Sequence, residues 1–193
     1  MIDVEIKAPV AKKEYEKLYA TLKGLGENVK EGYYLTLTYS DRGYNNREVR
    51  LEYKNGDSKI FVESGKKGNR AEVVTALASE EFTSGLSMLS ELGYKKGKVI
   101  AEKVLTARYG GAYFSLFHPE NDALYYEISI PAHNPTEVKE NKQKLEAIAK
   151  QFKLPIWTAL DMLEFMRRLH ESLDTVYDYD TDGPEYFIKR FQV

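Results

Sequence analysis

The segment REVRLEYK, residues 47–54, alternates between charged and apolar side chains from Glu48 onward. Because successive side chains of a β-strand point to opposite faces, this alternation predicts a strand with one charged and one apolar face. The charged face consists of Glu48, Arg50, Glu52 and Lys54, and the apolar face of Val49, Leu51 and Tyr53. Such a charged face either contacts water or lines a polar cavity that holds an ion or a polyanion.

The same two-residue period recurs along the chain and predicts further strands. They lie at residues 1–7, 33–39, 59–63, 70–77, 98–108, 112–117 and 123–130. Asn55-Gly56 is typical of a hairpin turn, since both residues tolerate the positive φ angles that a tight turn needs.

Apolar residues at helical spacing predict four helices. These span residues 11–24, 79–92, 134 onward and 158–173. The third begins with Asn134-Pro-Thr-Glu137, which combines an N-cap, a proline at the first helical position and a capping-box acid. The fourth is apolar over more than one stripe, which suits packing against a sheet and leaves room for a homodimer contact.

The predicted order of elements is β-α-β-β-β-β-α-β-β-β-α-α. So many consecutive strands joined by short turns favour an α+β fold, with an antiparallel sheet closed into a β-barrel or strongly curled and flanked by helices. We expect a single domain over residues 1–193. The barrel and two helices occupy residues 1–133, and residues 134–193 form C-terminal helices and an acidic tail.

Composition narrows the classes of protein. The 193 residues contain no cysteine, which excludes disulfides, thiolate nucleophiles and cysteine-based zinc sites. A formal net charge of −2 gives no overall attraction to nucleic acid or to an anionic membrane. No apolar run is long enough to span a bilayer, and MIDVEIKAPV lacks the pattern of a signal peptide. We therefore expect a cytoplasmic protein with no nucleic-acid partner and no membrane contact.

The polar faces of the predicted strands carry interleaved charges of both signs. They contain Glu5, Lys7, Arg50, Glu52, Lys54, Glu63, Arg70, Glu72, Lys103 and Glu127. A half-exposed antiparallel sheet normally presents such a solvated face. The alternative is that all of these side chains converge on one lumen.

Short motifs on these strands resemble those of the CYTH superfamily, the triphosphate-tunnel fold that includes class IV adenylate cyclases and thiamine triphosphatases. Asp3-Val-Glu5-Ile-Lys7 resembles the Glu-x-Glu-x-Lys motif on the first strand of that family. Arg50 resembles the first arginine of its Arg-x-Arg pair, and Lys103 resembles its lysine before the final hairpins. Arg70 and Glu72 are similar to its Arg-x-Glu strand, and Glu127-Ile-Ser129 to its Glu-x-Glu near the last strand.

The sequence departs from the family pattern at four positions. They are Glu52 in place of the second arginine, Val74 and Ser129 in place of acids, and Leu105 in place of a basic residue.

The resemblance implies a site for a small-molecule triphosphate or polyphosphate. Arg50, Lys54, Arg70 and Lys103 would bind phosphate, because arginine and lysine make charge-assisted hydrogen bonds to phosphate oxygens. Asp3, Glu5 and Glu127 would bind Mg²⁺ or Mn²⁺, which prefer oxygen ligands. Glu5 and Lys7 would be catalytic, and Glu52, Glu63 and Glu72 would also line the tunnel.

Two functions follow from this resemblance. One is a divalent-metal-dependent phosphohydrolase or adenylate cyclase-like enzyme acting on a nucleoside or organic triphosphate. The other, favoured by Glu52, Leu105 and Ser129, is a divergent, non-catalytic polyphosphate- or nucleotide-binding protein of the same fold.

The tail contains one further motif. Residues 178–183, DYDTDG, begin like the calcium loop of an EF-hand, but Lys189 stands at the twelfth position, where a bidentate glutamate closes such a loop. An acidic, turn-rich tail is the expectation here.

Overall fold

The computed structural model of the protein describes residues 2–41, 47–54, 56–66, 69–78, 81–172 and 175–191. The chain divides into two compact units. The first unit comprises Met1–Gly32 and Glu102–Ser172, and the second comprises Tyr33–Ala101 and Leu173–Val193. Two long strands contribute residues to both units, and each unit is described by itself below.

Nine strands are described. They are β1 (Ile2–Pro9), β2 (Glu27–Asp41), β3 (Arg47–Lys54), β4 (Asp57–Lys66), β5 (Asn69–Leu77), β6 (Lys96–Tyr109), β7 (Ala112–Pro119), β8 (Tyr125–Ala132) and β9 (Thr175–Asp178). The described helices are α1 (Lys12–Leu25), α2 (Phe82–Glu91), α3 (Pro135–Phe152), α4 (Ala159–Ser172), α5 (Tyr179–Asp182) and α6 (Glu185–Phe191).

The predicted order of strands and helices is confirmed through α4, and β9, α5 and α6 are additional. None of the helices in the described ranges is long and apolar enough to cross a membrane.

In the first unit, the strands follow the hydrogen-bonded order β1-β8-β7-β6-β2, and the β1/β8, β8/β7 and β7/β6 pairs are antiparallel. One face of this sheet is apolar and packs against α1 and α3. Its core includes Val4, Ile6, Leu116 and Ile128 from the strands, Leu18 and Leu22 from α1, and Leu145 and Ala149 from α3. Burial of these side chains holds the two helices on the sheet.

Helix α3 begins as its sequence predicts. Pro135 is its first residue, and the side chain of Asn134 accepts a hydrogen bond from the backbone N–H of Glu137 at 3.0 Å. The carboxylate of Glu137 accepts in turn from the backbone N–H of His133 at 2.7 Å. Two N–H groups at this helix end therefore have acceptors.

In the second unit, the order is β6-β2-β3-β4-β5, and β9 pairs with β6. The β2/β3, β3/β4, β4/β5 and β6/β9 pairs are antiparallel. The apolar face predicted for residues 47–54 packs against α2. This core includes Leu35, Leu37, Val49, Leu51 and Ile60 from the strands and Phe82, Leu86 and Leu89 from α2.

The sequence predicts the tail to be an acidic, turn-rich segment, but the structure shows that it contains a strand and core residues. Its strand β9 adds to the start of β6, and Tyr177, Phe187 and Phe191 are buried in the core of the second unit. The acidic residues lie at the end of β9 and in the short helix α5, whereas the aromatic residues on either side supply the packing. The α+β fold itself, with an antiparallel sheet, flanking helices and a helical C-terminal tail, is confirmed.

Candidate phosphate-binding faces

The charged face of the second unit is the face of β3 and β4 that points away from α2. Arg50 lies at its centre, with 27% of its side chain exposed. Its Nη2 donates a hydrogen bond to Glu63 Oε1 at 3.0 Å, while Glu48 and Glu52 approach the guanidinium to 3.6 and 3.8 Å. Three carboxylates therefore surround one cation.

One N–H group of the Arg50 guanidinium makes no hydrogen bond to a described residue. Its Nε atom is buried and has no hydrogen-bond partner within the described ranges, because Glu48 Oε1 at 3.6 Å is too far for a hydrogen bond. Phe61, the residue directly opposite on β4, places its ring 5.1 Å from the guanidinium carbon. A buried N–H without an acceptor is costly, but this atom is closed to solvent, so an added phosphate oxygen would contact the exposed part of the side chain.

Lys54 lies at the other end of the same face. It is opposite Asp57 on β4 and opposite Tyr34 on β2, whose ring centroid lies 5.6 Å from its Nζ atom. The structure thus places Arg50, Glu52, Lys54 and Glu63 on one face of the second unit, as alternation predicts.

Arg70 and Glu72 belong to β5, where their Cα atoms pair with Gly65 and Glu63. Their side chains lie outside the described residues. The predicted orientation of both side chains stays a prediction.

The charged face of the first unit follows two rows of partner positions across β1, β8, β7 and β6, since directly opposite residues of antiparallel strands share a face. One row is Lys7, Glu127, Ser115 and Thr106. The other row is Glu5, Ser129, Tyr113 and Arg108.

Lys7 is held by two acids of this face. Its Nζ atom lies 3.0 Å from Glu127 Oε2 and 3.3 Å from Glu5 Oε1. Burial alone would lower the pKa of Lys7, but attraction and hydrogen bonds to Glu127 and then to Glu5 outweigh burial and raise it above 10.5. Lys7 therefore stays an ammonium, and both carboxylates have a cation beside them.

The three predicted metal ligands are only partly brought together. Glu5 and Glu127 meet at Lys7, whereas Asp3 is exposed and pairs with Pro131 at the sheet edge. Among the residues that the structure describes, no group of three or more histidine or acidic side chains is arranged to hold a metal ion. The donor set as it stands suits the Lys7 ammonium and does not fit a resident divalent ion.

Lys103 lies on the opposite face of the first unit from Lys7. Lys103 pairs with His118, and it is three residues from Thr106, which lies in the row of Lys7. An odd offset along a strand reverses the side-chain direction. The residue that resemblance assigned to phosphate binding therefore does not share a face with Glu5, Lys7 and Glu127.

Sequence reasoning missed two features of β6. Arg108 is exposed, lies on the charged face, and places its guanidinium carbon 5.6 Å from the ring centroid of Tyr113. Glu102 is only 3% exposed, and the hydroxyl of Tyr125 lies 2.8 Å from both of its carboxylate oxygens. The sequence of β6 gave no signal for either residue, because both sides of this strand are buried around Glu102, Val104 and Leu105.

The acids of the 178–183 segment make contacts within the chain. Asp178 Oδ2 lies 2.7 Å from Lys96 Nζ, and Asp180 Oδ1 lies 2.9 Å from Lys95 Nζ. The carboxylate of Asp182 accepts from the backbone N–H of Asp178 at 2.8 Å. Hydrogen bonding to Lys96 lowers the pKa of Asp178. The contacts with Lys95 and Lys96 attach the tail to the start of β6.

Helix α4 divides its apolar residues between two sides. Met162 and Leu169 are buried, whereas Leu160 and Leu163 are exposed. The homodimer contact suggested for this helix stays a prediction.

Comparisons with known proteins add the fold class. No protein-family model and no curated protein sequence matches the chain. Among solved structures, the PH1819 protein of Pyrococcus horikoshii OT3 matches at 18% identity and a TM-score of 0.57, over 86% of this chain and 99% of that chain.

A candidate adenylate cyclase of Vibrio parahaemolyticus matches at 16% identity and a TM-score of 0.55, over 85% of this chain and 98% of that chain. A candidate adenylate cyclase of Bacillus halodurans matches at 16% identity and a TM-score of 0.53, over 82% of this chain and 93% of that chain. At this level of identity the likeness is one of fold, and this chain has the fold of the CYTH, class IV adenylate cyclase-like proteins.

Proposed function

We propose that this protein binds a nucleoside or organic triphosphate and acts on it as a divalent-metal-dependent phosphohydrolase or adenylate cyclase-like enzyme. The observation that carries the proposal is the partly exposed side chain of Arg50 at the centre of the charged face of β3 and β4. Phosphate oxygens are strong acceptors, and arginine binds them through two parallel hydrogen bonds.

The charges around Arg50 define what form of ligand suits it. Glu48, Glu52 and Glu63 lie within 4.0 Å of the guanidinium and repel a bare polyanion. A divalent cation that arrives bound to the triphosphate reduces this repulsion, since it neutralises phosphate charge. We therefore propose the Mg²⁺ or Mn²⁺ complex of the triphosphate as the substrate.

Within the first unit we propose Glu5 as the general base for turnover and Lys7 as the residue that positions its carboxylate. Glu5 is the more exposed of the two acids beside Lys7, at 44% against 23% for Glu127. An ionised carboxylate that is open to solvent can accept the proton of an attacking water or ribose hydroxyl.

A second function is favoured by a specific observation. The ammonium of Lys7 lies beside both Glu5 and Glu127, so these acids already have their counter-charge. This arrangement supports a non-catalytic protein that binds polyphosphates or nucleotides.

The experiment is calorimetric titration with tripolyphosphate and ATP, with and without Mg²⁺, combined with assays for released phosphate and cyclic AMP. We expect Arg50→Ala to weaken binding about 10- to 100-fold, as expected for one charge-assisted hydrogen bond. Arg47→Ala is the matched control, because Arg47 is exposed, lies on β3 and points to the other face.

The outcomes separate the candidates. Binding with turnover supports the enzyme, and binding without turnover under every metal condition supports the non-catalytic protein. If no polyphosphate binds with or without metal, both are wrong.

A further inference from the structure

Strand β6 contributes one cation to the charged face of the first unit. Resemblance assigns Lys103 to this role, but Lys103 faces the side of the sheet that carries Leu105 and Leu116. Arg108 lies in the row of Glu5, Ser129 and Tyr113. The register of three strand pairs therefore places Arg108, and not Lys103, on the charged face.

Arg108 differs from Lys7 in its partners. Lys7 has two carboxylates within 3.3 Å. Arg108 makes no ion pair and no hydrogen bond to any described residue, and its contact is the ring of Tyr113. Its positive charge is therefore available to an anion, whereas the charge of Lys7 is shared between two acids.

Tyr113 orients this charge. It lies directly opposite Arg108 on β7, and the guanidinium carbon is 5.6 Å from the ring centroid. A ring at this distance attracts the cation and restricts its side chain without using any of its N–H donors. The donors of the guanidinium remain open to phosphate oxygens.

We propose that Arg108, and not Lys103, is the residue of β6 that binds substrate phosphate. This assignment rests on the proposed triphosphate binding, and it adds a residue that neither the motifs nor the comparisons supply. The ring beside Arg108 also suits an anion attached to a planar organic group, because such a group can stack on the half-exposed face of Tyr113.

The test compares Arg108→Ala, Arg108→Lys and Lys103→Ala by calorimetric titration with Mg²⁺-tripolyphosphate. We expect Arg108→Ala to raise the dissociation constant about 10- to 100-fold and Arg108→Lys to raise it less, because lysine keeps the charge but loses the fork. Lys103→Ala should change the dissociation constant by less than about threefold, because a residue that does not contact the ligand interacts with it only through long-range electrostatics. Lys139→Ala on the exposed side of α3 controls for loss of a surface charge.

Each result decides the assignment. Equal losses for Arg108→Ala and Lys139→Ala, with wild-type binding intact, overturn the role of Arg108 and leave the proposed function standing. A larger loss for Lys103→Ala than for Arg108→Ala reverses the assignment. If the wild-type protein binds no polyphosphate, the proposed function fails and this inference fails with it. Circular dichroism and thermal melting confirm that each variant is folded.

Discussion

The charged faces of the two units place an arginine in opposite electrostatic surroundings. In the second unit, Arg50 lies among Glu48, Glu52 and Glu63. In the first unit, the acids contact Lys7, and Arg108 is left with an aromatic ring. The availability of a cation thus depends on which strand positions the carboxylates occupy, and a count of charges does not reveal it.

The two arginines share one feature. Each guanidinium carbon lies beside the ring of the residue directly opposite on the next strand, at 5.1 Å for Phe61 and 5.6 Å for Tyr113. The aromatic neighbour is therefore common to both faces, and the number of acids is the difference. Changes that alter those acids or the faces themselves test this comparison.

The largest expected effect comes from the apolar side of β3. Leu51 is fully buried against α2, and Leu51→Ala should lower the free energy of unfolding by about 2–5 kcal/mol, since it leaves a cavity. Lys59→Ala, on the charged side, should change it by less than about 0.5 kcal/mol. Urea denaturation measures both, and similar losses would show that the two faces are not distinct.

The next effect concerns the acids around Arg50. Glu52→Arg removes a carboxylate 3.8 Å from the guanidinium and adds a second cation, so tripolyphosphate should bind about 10- to 100-fold more tightly. Glu52→Gln removes only the charge and should give a smaller gain. Calorimetric titration compares the variants, and weaker binding by Glu52→Gln would contradict the repulsion argument.

A smaller effect is expected at Lys7. Lys7→Met leaves Glu5 and Glu127 without their shared ammonium, and it should lower the free energy of unfolding by about 1–2 kcal/mol because the group is partly exposed. Lys13→Met, at an exposed position of α1, serves as the control. Mg²⁺ should stabilise Lys7→Met more than wild type, and equal responses would show that these acids do not accept a divalent ion.

The smallest expected effect is the pH dependence of the stabilisation that Lys7 gives through Glu5 and Glu127. The pKa of Lys7 is raised in the folded state, so its stabilisation is fully present below 10.5 and is lost as the pH rises through the folded value. The stability difference between wild type and Lys7→Met should therefore shrink above about pH 10.5. Arg50→Met is the control, since arginine keeps its charge in this range. A constant difference for Lys7→Met would contradict the raised pKa.

Much of the fold was predictable from local patterns. The two-residue period marked the strands, and the Asn134 to Glu137 segment marked the start of α3, because both signals depend on residues close in sequence. The partners of Arg50 were predictable only as a set of charges. Their distances required the β3/β4 register, which places Glu48 opposite Glu63.

Which side chains of β6 lie on the charged face was not predictable from the sequence. Glu102, Val104 and Leu105 are all buried, so both sides of this strand are covered and its sequence shows no clear alternation. The resemblance then selected Lys103 by charge type. Its pairing with His118 shows that it points away from Lys7.

The sequence by itself determined the order of the elements and the two-faced character of β1 and β3, since side-chain alternation is a property of the strand alone. Only the tertiary structure decided which charges meet. Register between strands distant in sequence placed Glu127 beside Lys7, and packing of the aromatic residues turned an acidic tail into part of a core. These contacts join segments far apart along the chain, so no local pattern encodes them.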